Sequence, residues 1–94
     1  MIISQDNKIE NLLGSRAKIK ILRTLAVNNE LSITQIIKNT RLNHSSVMAH
    51  LNHLKLLNLV QEKNFGRIRI FRYKNENLKA RSLKKFIEIW EGEY

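Results

Sequence analysis

Two short apolar stripes of helical period stand only a few residues apart in this chain, and that spacing limits the folds open to it. The first runs through Ile33, Ile36 and Ile37 behind Ser32, and predicts a helix over 33–39. The second runs through Val47, Leu51, Leu54 and Leu57 behind Asn43, and predicts a helix over 44–57. Between them lie Thr40, Arg41 and Leu42, with Leu42 able to tuck inward. Two helices joined this closely, each with one apolar face, form a helix-turn-helix unit.

The residues on either side extend the pattern. Ile9, Leu12 and Leu13 predict a helical turn over 7–13, stopped by Gly14. Ser15 then caps a helix over 16–28 whose stripe is Ala17, Ile21, Leu22 and Leu25, with Lys18, Lys20 and Arg23 off the stripe. Asn28 and Asn29 end it, because asparagine tolerates left-handed backbone. After the helix-turn-helix, residues 59–63 read as a strand, 64–66 as a turn and 67–74 as a second strand. The alternation of Arg67, Ile68, Arg69 and Ile70 changes phase at Phe71, which predicts a bulge or a strong twist near there. A last helix is expected over 78–91, with Leu83, Phe86, Ile87 and Trp90 on one face.

The expected fold is therefore mainly α with a small β-hairpin: a winged helix-turn-helix with an additional C-terminal helix. One domain over 1–94 suffices, with 15–75 as the reading core and 1–14 and 76–94 as flanks for self-association. The C-terminal stripe can close the chain's own core or pack on a second copy. The second is favoured, with Ile2, Ile3, Ile9 and Leu12 joining Leu83, Phe86, Ile87 and Trp90, because a domain this small has a thin core.

Charge narrows the partner. The chain carries a formal net charge of +9, and a surplus of that size attracts polyanions. Residues 31–75 hold Lys38, Arg41, Lys55, Lys63, Arg67, Arg69, Arg72 and Lys74 against the single acid Glu62. The last nine residues hold Glu88, Glu91 and Glu93 and no base, so a nucleic-acid face and an assembly face separate along the chain. A membrane span is excluded, since no apolar run exceeds three residues. Met1 to Asp6 lack the charged start and apolar stretch of a secretory signal, and a cytoplasmic, DNA-associated location is expected.

Placing the 44–57 helix in a major groove leaves His44, Ser45, Ser46, Ala49, His50 and His53 clear of the apolar stripe. Ser45 and Ser46 at the helix start suit phosphates, or cap the helix; His50 and His53 suit base edges; Ala49 allows close approach. Arg41, Lys63, Arg67 and Arg69 add charge from the turn and the wing.

These residues resemble the winged-helix regulators of the ArsR-like group, the small archaeal ones especially. The resemblance is carried by Leu12 to Leu22, by Ser45 to Leu54, and by Leu57-Asn58-Leu59-Val60, where the family commonly has glycine in place of Asn58. It implies a homodimer on a palindromic double-stranded DNA site, one recognition helix per half-site, with Ser45, Ser46, Ala49, His50 and His53 at DNA-contacting positions. The metal-sensing members carry cysteines, and this chain has none. His50 and His53 alone, with no acid nearby, make a poor metal site, so neither metal nor cofactor is expected. A weakly specific architectural DNA binder and a protein- or RNA-contacting winged helix are the alternatives. An enzyme is the least expected, because no carboxylate pair, glycine-rich phosphate loop or nucleophile–base pairing stands out.

Overall fold

The computed structural model describes residues 8–92. Five helices and three strands follow in the order α1 (Ile9–Leu13), α2 (Arg16–Asn28), β1 (Glu30–Ser32), α3 (Ile33–Thr40), α4 (His44–Leu56), β2 (Val60–Phe65), β3 (Ile68–Tyr73) and α5 (Leu78–Trp90). Ile2, Ile3 and Glu93, used in the sequence argument, lie outside the described residues.

Helix starts follow their caps. The Ser15 hydroxyl accepts from the Lys18 amide, Asn43 from the Ser46 amide, and Asn77 from the Lys79 and Ala80 amides. Ser32 and Gln35 form a reciprocal capping box at the start of α3. Helix ends use left-handed residues: Asn29 closes α2 at φ 69° and Arg41 closes α3 at φ 61°. Asn58, where the resemblance led to glycine, also has positive φ, at 65°.

The core is one cluster. Ile21, Leu22 and Leu25 of α2 meet Ile36 of α3, then Val47, Leu51 and Leu54 of α4, and Phe71 and Tyr73 close it from the sheet. All of these are fully buried, so truncating Leu51 or Leu54 to alanine costs about 2–5 kcal/mol. Leu42 and Leu57 pack against the cluster from its edge.

Three expectations need correcting. The sheet has three strands rather than two, in the order β1-β3-β2, with Glu30, Leu31 and Ser32 paired to Arg72, Phe71 and Ile70. The bulge at Phe71 is absent: β2 and β3 pair without interruption from Val60↔Tyr73 to Phe65↔Ile68. Phe71 and Tyr73 face the core, whereas Ile68 and Ile70 occupy the opposite face, so the apparent change of phase is a change of face. Finally, the turn is Gly66-Arg67 rather than 64–66, because a two-residue hairpin loop needs positive φ and Gly66 supplies it at 62°.

α5 is anchored at its start and projecting at its end. Ala80 is fully buried, the buried Tyr73 hydroxyl donates to the Ala80 carbonyl at 2.6 Å, and Leu83 packs on the core. At the far end Arg23 of α2 holds Glu91 at 2.7 Å. Beyond that first turn the helix leaves Phe86, Ile89 and Trp90 in solvent.

Candidate nucleic-acid interface

α4 turns Val47, Leu51 and Leu54 inward, which fixes what it shows to solvent. His44, Ser45, Ala49, Asn52 and Leu56 are exposed, while Ser46, His50 and His53 are half-buried along its flanks. Asn43, not Ser45 or Ser46, provides the cap, so capping does not occupy the serine hydroxyls. Asn52 is exposed as well, and at 3.6 residues per turn Ser45, Ala49, Asn52 and Leu56 form one outward stripe.

The two histidines behave differently from one another. His50 is held below its ordinary pKa of 6.5 by partial burial first, then by the nearby Lys18 and His53. It is therefore neutral at pH 7 and offers one donor and one acceptor. His53 turns toward α2, where the Lys18 ammonium donates to its Nδ1 at 2.6 Å. Lys18, expected off the apolar stripe, is in fact buried, its charge placed against the recognition helix rather than in solvent. Among the described residues no cluster of three or more histidines, cysteines or acids is arranged to hold a metal ion.

The basic residues divide into exposed and internally paired groups. Arg41 is exposed in the turn before α4, and Arg67 is exposed at the tip of the hairpin rather than within its strand. Lys63 lies on the outer face of the sheet, 3.0 Å from Glu30 of β1, a surface pair worth at most about 1 kcal/mol. Arg69 faces the helices instead. Its guanidinium lies 5.9 Å above the Phe71 ring and reaches Glu62 at 2.6 Å. Lys55 of α4 meets the other oxygen of Glu62 at 2.7 Å.

A second surface lies away from this face. Ile9, Leu12, Leu13, Leu57, Leu59, Leu78, Leu83 and Phe86 line an apolar groove of about 530 Å³ between α1 and α5. Ile9 is 65% exposed and Trp90 77%, with the Phe86 and Trp90 rings 5.7 Å apart one turn along α5. Ile87, Leu12 and Leu83 are half-buried beside them.

The helix-turn-helix, the capped α4 and the three-stranded sheet with its hairpin agree with the comparison to known families, in which residues 15–62 match the bacterial regulatory protein, arsR family. The chain belongs to the arsR family. It is a winged-helix transcription regulator and not an enzyme. The match is to the arsR family as a whole and singles out no small archaeal subgroup. No curated protein matches it in sequence. Among solved structures it is similar to HlyU from Vibrio cholerae, at 17% identity and TM-score 0.75 over 87% of this chain and 86% of that one. The transcriptional repressor PagR of Bacillus anthracis is similar at 22% identity and TM-score 0.70, over 87% and 91% of the two chains. A protein from Archaeoglobus fulgidus is similar at 24% identity and TM-score 0.69, over 90% and 99%. No helix among the described residues is long and apolar enough to cross a membrane.

Proposed function

We propose that the chain acts as a homodimer that binds double-stranded DNA in a sequence-specific way, with α4 in the major groove and the hairpin on the adjacent backbone or minor groove. The observation that carries this reading is the outward stripe of α4: Ser45, Ala49 and Asn52 are small or polar and precede the exposed Leu56, the stripe holds no acid, Arg41 is exposed just before the helix, and Arg67 is exposed at the hairpin tip. Arg41, His44, Ser45 and Ser46 cluster at the helix N-terminus, where outward amide groups and positive charge suit phosphates. Ala49, His50 and Asn52 follow along the groove-facing side, and an Asn amide is suited to adenine. His53 turns inward and supports α4 through Lys18. Lys63, Arg67 and Arg69 belong to the wing.

The dimer reading rests on the apolar surface of α1 and α5. Ile9, Phe86 and Trp90 are more than half exposed, and Leu12, Leu83 and Ile87 continue the patch inward. Large aromatic and aliphatic side chains concentrated in one place mark an association surface. Two copies joined there would carry two recognition helices to two half-sites of a palindrome.

The test is binding to the DNA upstream of the protein's own coding sequence and to a scrambled duplex of equal composition, at two salt concentrations. The expected result is tighter binding to the upstream duplex that persists at the higher salt. If a dimer neutralises roughly eight phosphates, a fourfold rise in salt weakens binding by about four orders of magnitude. Equal binding to both duplexes, lost together, favours the architectural alternative. A flat salt response sinks the DNA reading.

A further inference from the structure

Glu62 is the single acid between Leu31 and Asn75, and its side chain is only 9% exposed. It lies in β2 on the side of the sheet that faces the helices, since its register partner is the buried Phe71. Each carboxylate oxygen has its own cation. Oε1 accepts from Lys55 Nζ in the last turn of α4 at 2.7 Å, and Oε2 accepts from Arg69 Nε in β3 at 2.6 Å. One carboxylate thus joins the recognition helix to both strands of the wing.

Resting on the DNA-binding reading above, we propose that Glu62 is a specificity-determining positioning residue: it fixes the angle between α4 and the wing and withholds Lys55 and Arg69 from DNA phosphates. The argument is electrostatic. Phosphate contacts raise affinity for every sequence alike, and base contacts separate one sequence from another. Two cations committed to an internal carboxylate add nothing to the indiscriminate part, while the helix and wing they hold keep their relative orientation. Arg69 also lies 5.9 Å over the Phe71 ring, a contact that favours the same side-chain position. The carboxyl is held down to about 2, chiefly by its hydrogen bond to Arg69, so the clamp stays ionised under all ordinary conditions.

The experiment compares wild type with Glu62→Gln on a scrambled duplex and on the upstream duplex, measuring fluorescence anisotropy over a salt series. In the variant the freed cations reach phosphates. Affinity for the scrambled duplex rises at low salt, and its log–log slope steepens by about 0.9–1.8 per protomer. Over a fourfold salt rise that is roughly a 3- to 12-fold greater loss than in wild type for each protomer, or about 12- to 150-fold for the dimer. The ratio of upstream to scrambled affinity falls. The double variant Glu62→Gln with Arg69→Gln brings the slope back by about 0.9. An unchanged slope in Glu62→Gln overturns the proposal, as does equal weakening on both duplexes with an unchanged slope, the signature of a structural role only. A wild-type protein that shows no salt-dependent binding would instead overturn the DNA reading itself, so the two failures are told apart.

Discussion

Removing the Tyr73 hydroxyl tests the account of how α5 is held, and it does so with a pH signature. Tyr73 is fully buried at the end of β3, and its hydroxyl donates to the Ala80 carbonyl at 2.6 Å. Tyr73→Phe keeps the ring and loses one buried hydrogen bond, which costs about 1.5 kcal/mol at neutral pH. For a domain of this size that lowers Tm by roughly 6–12 °C. Burial pushes the Tyr73 phenol up to about 12 from an ordinary value of 10. Because the folded state favours the neutral phenol, its contribution is complete below pH 10 and is lost as pH rises toward 12. The full loss is about 2.7 kcal/mol at 1.36 kcal/mol per pH unit. The phenylalanine variant has no such loss, and lysine and arginine titration affects both proteins alike. Urea unfolding followed by circular dichroism from pH 7 to 11.5 should therefore show the wild-type advantage shrinking above pH 10, with the two stability curves crossing near pH 11. Curves that stay parallel would refute the burial argument, and curves that coincide at neutral pH would refute the bond.

Trp90→Ser should convert the proposed dimer to monomer in sedimentation velocity without unfolding it, since Trp90 is 77% exposed; a loss of about 2 kcal/mol, near 30-fold in dimer affinity, is expected. His50→Ala should reduce discrimination between duplexes by about 1–3 kcal/mol, whereas Arg67→Ala should weaken all duplexes alike and flatten the salt slope by about 0.9 per protomer. Anisotropy titrations of both variants against both duplexes check this, and identical behaviour would show the two roles are misassigned. Arg41→Gly should raise stability to urea by roughly 0.5–1 kcal/mol, because glycine has no penalty at the φ of 61° that Arg41 adopts, while DNA affinity falls.

Where the fold was legible in sequence, short-range chemistry was the reason. Ser15, Ser32 and Asn43 each offered a side-chain oxygen just before an apolar stripe, and α2, α3 and α4 begin directly after them. Helix ends fell within about one residue of expectation, as fraying termini allow. β1 was not legible, because Glu30-Leu31-Ser32 is too short to show alternation and is held by β3 from a distant part of the chain. The same limit applies to the phase change at Phe71: alternation alone does not say which face is the core, and the register puts Phe71 and Tyr73 there, with Ile68 and Ile70 opposite. In the candidate interface, sequence named the cationic residues but not their partners. Nothing local tells that Arg69 and Lys55 converge on Glu62, or that Lys18 lies buried against His53. The α5 stripe was half resolved by the structure, with Leu83 on the chain's own core and Phe86 and Trp90 facing outward.

The position of β3 in the middle of the sheet has a consequence for the order of assembly. β2 reaches it through a two-residue turn, a closure completed in microseconds. β1 has β3 as its partner too, but its residues Ser32 and Ile70 stand roughly 40 positions apart, and closing so long a loop costs roughly 3 kcal/mol more than the hairpin. The hairpin is thus the template and β1 the latch that arrives afterwards. When it pairs, α3 and α4 become the contents of a ring shut by three residue pairs, and the helix-turn-helix can no longer drift from its wing. Loosening that latch would open the ring while leaving the hairpin intact.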